Sequence, residues 1–312
     1  MSIGEAAVST DQKRDVEVLV VQCGPAEPEP HKNVRANLDL VRKALEGHKP
    51  HFIALSELST TQYFCGYNDP KWFDLAEPLD GPSVKAFQEL AREAGSHVLL
   101  PFYERGKVKG EFFNSVAVID PRGELIPGVL PDGRKVQCYR KNHIPDQYSY
   151  SPGLNERYYF KGGPGLAVFD TAHGRIGCLI CYERSFPEAW RVLALQGAEI
   201  VFLPTAAWGP YRADSWGFEL RTAAVQNGVF VVGPNKGGPE TTEGERVFYG
   251  HSIVFSPMGQ VLSEGPKREG PTTFYVTLDM TEVYRHGKRY TFFRDRRPEL
   301  YGSLSDIARN VY

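Results

Sequence analysis

The stretch CLICYERSFPE (178–188) sets a cysteine, Cys181, where an apolar run gives way to a helix start. Four fates are open to that sulfur: a buried hydrophobe, half of a redox pair with Cys178, a metal ligand or a nucleophile. Geometry weighs against the redox pair. The run reads as one strand, and residues three apart on a strand point to opposite faces, whereas redox pairs sit at a helix start that brings the sulfurs together. A zinc site needs further Cys or His at matching spacing; there is no second Cys-x-x-Cys, and the nearest histidine, His173, fits no such pattern. Burial as a small hydrophobe suits Cys178. For Cys181 the surroundings differ. Ser185-Phe-Pro-Glu188 has the form of a capping box with proline in the first helical turn, so the sulfur is expected at a strand end just ahead of a helix N-terminus. Backbone N–H groups and the positive helix end there would favour a thiolate or a developing oxyanion.

A cysteine that attacks an amide needs a base for its proton and a donor or cation for the tetrahedral oxyanion. Glu57 closes the apolar run HFIALSE, and Lys141 closes the strand-like run in CYRKNHIP. Each alone reads more readily as a solvated strand cap. Together with Cys181 they place three reactive groups at the C-terminal ends of strands, the edge where open α/β sheets collect their sites.

The elements that must position these groups follow from the apolar pattern. Strands are expected over 15–22, 51–57, 97–104, 112–120, 174–183, 198–206, 228–235, 250–257 and 272–280. Helices are expected over 33–47, 83–95, 186–197 and around 215–227, the first two with apolar residues at helical spacing. Alternating strands and helices followed by a strand-rich segment argue for one α/β domain with a mixed sheet or two stacked sheets. The organisation expected is a polar tail over 1–14, a domain over 15–283, and a segment over 284–312, rich in Arg and Tyr, that reads as an arm packing on a neighbouring subunit.

Composition narrows the class. A chain of 312 residues with 41% hydrophobic content can build a sizeable core. A net charge of −2 with interspersed basic residues makes no case for nucleic acid or an anionic membrane. No apolar run nears the roughly 18 residues that cross a bilayer, and MSIGEAAVSTDQKRD lacks a signal-peptide core. Five scattered cysteines do not form a disulfide framework. These features fit a cytoplasmic globular protein with a small-molecule partner.

The motifs as a set resemble the nitrilase superfamily of carbon–nitrogen hydrolases along nearly the whole chain. HFIALSELS resembles the family's glutamate segment, YRKNHIP its lysine segment, and GRIGCLICYERSFPEAWRVLALQGAEIVFLPTA its nucleophile segment. GLNERYYFKGG resembles the stretch that carries a supporting glutamate, which falls on Glu156; GHSIVFSPMGQVLSE and FFRDRRPELY fit the later strands and C-terminal arm. The segment between Lys141 and Glu156 is longer than in some relatives. The resemblance implies a single-domain α/β fold, an α-β-β-α sandwich that pairs into a four-layer sandwich, giving a homodimer or larger even-numbered homo-oligomer. It implies Cys181 as nucleophile, Glu57 as general base, and Lys141 with the backbone N–H of Tyr182 as oxyanion donors. A thioester forms and is hydrolysed by water, with no metal and no cofactor.

Within that superfamily RKNHIPD, the ERYYF cluster and FRDRRPELY resemble enzymes acting on N-carbamoyl compounds, the branch of β-ureidopropionase and N-carbamoylputrescine amidohydrolase. Hydrolases of N-carbamoyl amino acids resemble this chain in having arginine at the position of Arg184, where the putrescine enzymes have a neutral side chain. A guanidinium pairs with a carboxylate and repels a polyamine. The alternative is that Arg184 is a solvated loop residue or pairs internally with Glu183 or Glu188. The activity expected is cleavage of an N-carbamoyl amino acid such as N-carbamoyl-β-alanine to ammonia, carbon dioxide and the amino acid. N-carbamoylputrescine or a simple amide or nitrile is the alternative substrate. A reading of another class, a silent family member used as a binding scaffold, sits badly with an intact Glu57, Lys141 and Cys181.

Overall fold

The computed structural model describes residues 14–147, 153–242 and 245–306. The expected polar tail over 1–14 therefore lies almost wholly outside the described residues. Two large sheets form the frame. One runs in the order Thr272–Asp279, Asp15–Gln22, Phe52–Leu55, His97–Arg105, Phe112–Ile119, Tyr139–Arg140. The other has eight strands and is centred on Gly174–Cys178, Ile200–Phe202 and Phe230–Gly233, which are mutually parallel.

Alternation along one strand shows why the sheets stack. Val16, Val18 and Val20 join a cluster with Ile176, Cys178, Ile200 and Phe202 of the second sheet. Leu19 and Val21 pack instead with Leu38, Val41, Val84, Phe87 and Leu90 of two helices. A strand buried on both faces has no polar side, which is why 15–22 and 51–57 read as near-continuous apolar runs. Phe52 and Phe202 meet across the sheets with ring centroids 5.4 Å apart. Helices Pro30–Ala44 and Pro82–Ala94 cover the outside of the first sheet, and Pro187–Leu195 and Pro210–Asn227 cover the second. The result is the α-β-β-α sandwich.

Element ends depart from the apolar pattern for local reasons. Helices begin at Pro30 and Pro210, earlier than the spacing of apolar residues indicates. Proline's fixed φ and missing N–H suit a first helical turn that carries no apolar stripe. The strand expected over 174–183 stops at Cys178, and residues Cys181–Ser185 form a tight 3₁₀ turn with Cys181 at φ +49°. The expected capping box at Ser185 does not form. Its hydroxyl donates to Glu219 Oε1 at 2.8 Å, and the helix starts at Pro187 without a side-chain cap. The same hydroxyl oxygen accepts Arg212 Nη2 at 2.8 Å, a charged donor that takes the place of the helix-end N–H groups and turns the serine toward helix Pro210–Asn227. The boundary expected at 284 falls inside helix Thr281–Arg289, whose buried His286 bonds Val225 O through Nε2 at 2.8 Å. Among the described residues no helix is long and apolar enough to cross a membrane.

Candidate active site

The first sheet runs its strands Asp15–Gln22, Phe52–Leu55 and His97–Arg105 parallel, as the second does its central three. The carboxyl ends of both sets face one edge of the sandwich. Glu57 lies just past Phe52–Leu55, Lys141 directly follows Tyr139–Arg140, and Cys181 follows Gly174–Cys178 by three residues. The short segment 203–207 after strand Ile200–Phe202 fastens two of them. Glu57 N–H donates to Thr205 O at 3.3 Å, Glu57 Oε2 accepts Ala206 N–H at 2.9 Å, and Cys181 N–H donates to Pro204 O at 3.0 Å.

The side chains form a buried chain of charge. Glu57 Oε1 accepts Lys141 Nζ at 3.0 Å and Asn114 Nδ2 at 2.7 Å. Lys141 Nζ also donates to Glu156 Oε2 at 2.7 Å, and Glu156 Oε1 accepts the Tyr63 hydroxyl at 2.8 Å. Burial opposes the charge of Lys141, but the carboxylates of Glu156 and Glu57 outweigh it and hold its pKa above the usual lysine value. Burial pushes Glu156 up; Lys141 pulls it back, and the charge on Glu57 repels a second carboxylate. Of the two carboxylates on this ammonium, Glu156 therefore takes up a proton more readily than an ordinary carboxylate.

Cys181 is the only one of the five cysteines that is not fully buried. Burial of its sulfur, with the negative Glu57 second, pushes the thiol up to about 12, against the pull of Lys141 and Arg184. The sulfur rests as a thiol, not as the thiolate that a helix end was expected to favour. Helix Pro187–Leu195 begins six residues further on, and the turn between is occupied by its own bonds. A resting thiol requires a base during attack.

The turn is clamped by Glu183. Its Oε2 accepts Ile180 N–H at 2.9 Å and the Tyr139 hydroxyl at 2.7 Å, and its Oε1 accepts Asn142 N–H at 3.0 Å. Nucleophile turn and lysine segment are thus tied through one buried carboxylate. Arg184 pairs with neither Glu183 nor Glu188. Its Nε donates to Glu219 Oε2 at 2.8 Å, and its Nη1 donates to Cys181 O at 2.9 Å.

Cys181, Tyr182, Arg184 and Glu156 line a pocket of about 130 Å³ together with Tyr63, Pro145, Leu154, Ala206, Ala207, Trp208 and Arg212. All six residues expected at the site, Glu57, Lys141, Glu156, Cys181, Tyr182 and Arg184, are brought together here. Sequence reasoning passed over Asn114, Tyr63, Glu219 and Arg212, and weighed Glu183 only as a partner for Arg184. Asn114 had a legible signal, a buried amide in the apolar strand FFNSVAVI. Part of the long segment between Lys141 and Glu156, residues 148–152, lies outside the described residues. The arrangement can hold a small polar carbonyl compound beside a thiol, a carboxylate base and a fixed ammonium.

Comparison with known proteins agrees. The family profile for carbon-nitrogen hydrolase matches residues 18–286. An N-carbamoylputrescine amidase of Solanum lycopersicum is 36% identical over 286 residues, covering 87% of this chain and 89% of that protein. A citrullinase of Francisella tularensis is 33% identical over 299 residues, covering 93% and 98%. The crystal structure of a carbon-nitrogen hydrolase from Helicobacter pylori G27 superposes with a TM-score of 0.84 at 27% identity, covering 94% of this chain and 99% of that one. Fold and site define a hydrolase of carbon–nitrogen bonds. The chain belongs to the carbon–nitrogen hydrolase family of the nitrilase superfamily.

Proposed function

We propose that this enzyme hydrolyses the ureido group of an N-carbamoyl amino acid through a thioester on Cys181. The observation that carries the reading is the buried Glu57–Lys141–Glu156 chain beside the one accessible cysteine, at the floor of a small pocket. Glu57 takes the thiol proton as sulfur attacks the ureido carbon. Lys141 and the Tyr182 N–H stabilise the oxyanion. One nitrogen leaves with the proton that Glu57 returns, and a water deprotonated by Glu57 then cleaves the thioester. The released carbamate decomposes, so the products are ammonia, carbon dioxide and the amino acid. Glu156 shares the ammonium with Glu57 and keeps Lys141 aimed at the reacting carbon.

Support for a ureido substrate comes from relatives named for N-carbamoylputrescine and for citrulline, both ureido compounds. Support for an acidic end comes from charge. The lining residues include two guanidinium groups, Arg184 and Arg212, and one carboxylate, Glu156, already engaged by Lys141 and Tyr63. An amine-ended substrate finds no available carboxylate among the described lining residues. N-carbamoylputrescine is the second reading, favoured by the identity to the tomato enzyme.

The test is ammonia release from N-carbamoyl-β-alanine, citrulline, N-carbamoylputrescine, a simple amide and a nitrile. Highest kcat/KM is expected on a ureido acid; a preference for the amide or nitrile would refute the ureido assignment. Mass spectrometry of Cys181 during turnover should show an acyl adduct, which a silent scaffold would not form.

A further inference from the structure

We propose that Arg212, not Arg184, meets the carboxylate of the substrate and sets the choice between acidic and basic ureido compounds; this rests on the ureido hydrolase reading above. Both arginines line the pocket, and both bond the same acid: Arg184 Nε lies 2.8 Å and Arg212 Nη2 3.2 Å from Glu219 Oε2. One carboxylate neutralises one guanidinium, so this side of the pocket keeps a positive charge. Glu219 does not line the pocket, and its carboxylate is already drawn on by Arg184 and Arg212 at Oε2 and by Ser185 Oγ at Oε1, 2.8 Å away, so a substrate amine meets a group engaged on both oxygens.

The two cations differ in what they still have to offer. The Arg184 side chain is 2% exposed, with Nη1 donated to Cys181 O at 2.9 Å and the guanidinium carbon 5.5 Å from the Trp216 ring centre. Pulling it off Glu219 would strand a buried charge, so it belongs to the support of the nucleophile. The Arg212 side chain is 31% exposed and sits in the first turn of helix Pro210–Asn227. Among the described residues it is held through Nη2 alone, by Ser185 Oγ at 2.8 Å and by Glu219. Of the five N–H hydrogens of a guanidinium, those on Nε and Nη1 remain for a ligand. Ser185 closes the turn that begins at Cys181, so the anchor is referenced to the nucleophile across one turn.

The experiment compares kcat/KM for N-carbamoyl-β-alanine, neutral propylurea and N-carbamoylputrescine in wild type and in Arg212→Ala, Arg212→Lys, Arg212→Glu and Arg184→Ala. Arg212→Ala should lower the acid-to-propylurea ratio at least about tenfold, chiefly through KM for the acid. Arg212→Lys should restore part of that ratio, and Arg212→Glu should move the preference toward the putrescine compound. Arg184→Ala should lower kcat on all three compounds alike. An unchanged acid-to-propylurea ratio in Arg212→Ala and Arg212→Glu, or a larger change of that ratio in Arg184→Ala, overturns the assignment while the ureido activity stands. If the wild type turns over none of the three, the ureido reading falls and takes this assignment with it. Circular dichroism confirms that each variant is folded, and the lysine and glutamate variants decide the matter should the alanine variant not fold.

Discussion

At the scale of single residues, the thiol of Cys181 is the central fact. Held up to about 12 by burial and by Glu57, it is neutral at ordinary pH, and attack has to be coupled to proton removal. Glu57→Gln keeps the shape and loses the base, so kcat should fall by roughly 10²-fold or more. Lys141→Met should cost on the order of 10²–10³-fold through the lost oxyanion charge. Cys181→Ala should abolish turnover in a folded protein, whereas Cys178→Ala, which removes a sulfur packed in the core between the sheets, should retain it. Steady-state ammonia release on the four variants checks all of this; near-wild-type rates in Glu57→Gln or Lys141→Met would remove that residue from the chemistry. These groups were legible in the sequence because each interrupts or ends an apolar run with a reactive side chain. Glu219 and Arg212 were not, since their meaning lies in partners that only the fold supplies: Glu219 meets Arg184 and Ser185 from another helix. Glu156 lies between. Its stretch was visible through family resemblance, but its two bonds, to Lys141 and Tyr63, needed the structure.

The turn Cys181–Ser185 is the element on which the site depends, and it is where the apolar pattern misled. ICYE continues a strand in composition, yet the backbone leaves the sheet after Cys178 because Glu183 offers its buried carboxylate to Ile180 N–H, Asn142 N–H and the Tyr139 hydroxyl. A charged acceptor with several donors outcompetes one more rung of ladder. Cys181 pays for this with a left-handed φ of +49°, a strain on the order of 1–3 kcal/mol that the surrounding bonds must hold. Glu183→Gln should therefore cost about 1–3 kcal/mol of stability and also lower kcat, as the turn relaxes and the sulfur shifts. Denaturant unfolding and ammonia release together test it. A variant with normal kcat would show that the turn holds its shape without the carboxylate. The strands and helices expected elsewhere were readable, since runs buried on both faces and helical spacing are local features; helix Thr281–Arg289 and the strands Gly237–Thr241 and Glu245–Tyr249 were not expected, and element ends are set by prolines and tertiary acceptors.

For the whole molecule, burial of thiols makes stability depend on alkalinity. Burial raises Cys65, Cys138, Cys178 and Cys181 above the ordinary 9.0. An unfolded chain releases those protons near 9.0, while the native chain retains them, in Cys181 to about 12. The unfolded state then binds fewer protons, so stability should fall as pH climbs from about 9 toward about 12. Melting temperature against pH checks the sign, and Cys178→Ala should give a shallower decline; a rising melting temperature would contradict it. Assembly is the other expectation at this scale. Tyr211 and Phe218, 81% and 77% exposed, sit on the outer helix Pro210–Asn227. We propose that a second subunit covers this helical face, giving an even-numbered oligomer. Sedimentation at micromolar concentration should show a species of at least twice the chain mass of 34.9 kDa; a clean monomer would count against it.

The segment 203–207 has a wider consequence. It belongs to the eight-stranded sheet by descent from Ile200–Phe202, but its backbone receives the base from the other sheet as well as the nucleophile from its own. It works as a gauge between two plates: its length fixes how far apart the proton acceptor and the sulfur stand, whatever the plates do beyond it. Side chains at its pocket-facing end, Ala207 and the following Trp208, can be exchanged to admit larger or smaller ligands. Adding or removing a residue inside it would reset the spacing of both reacting groups in one step. The substrate range of this enzyme is therefore open to redesign at the pocket wall, and closed to redesign by loop length.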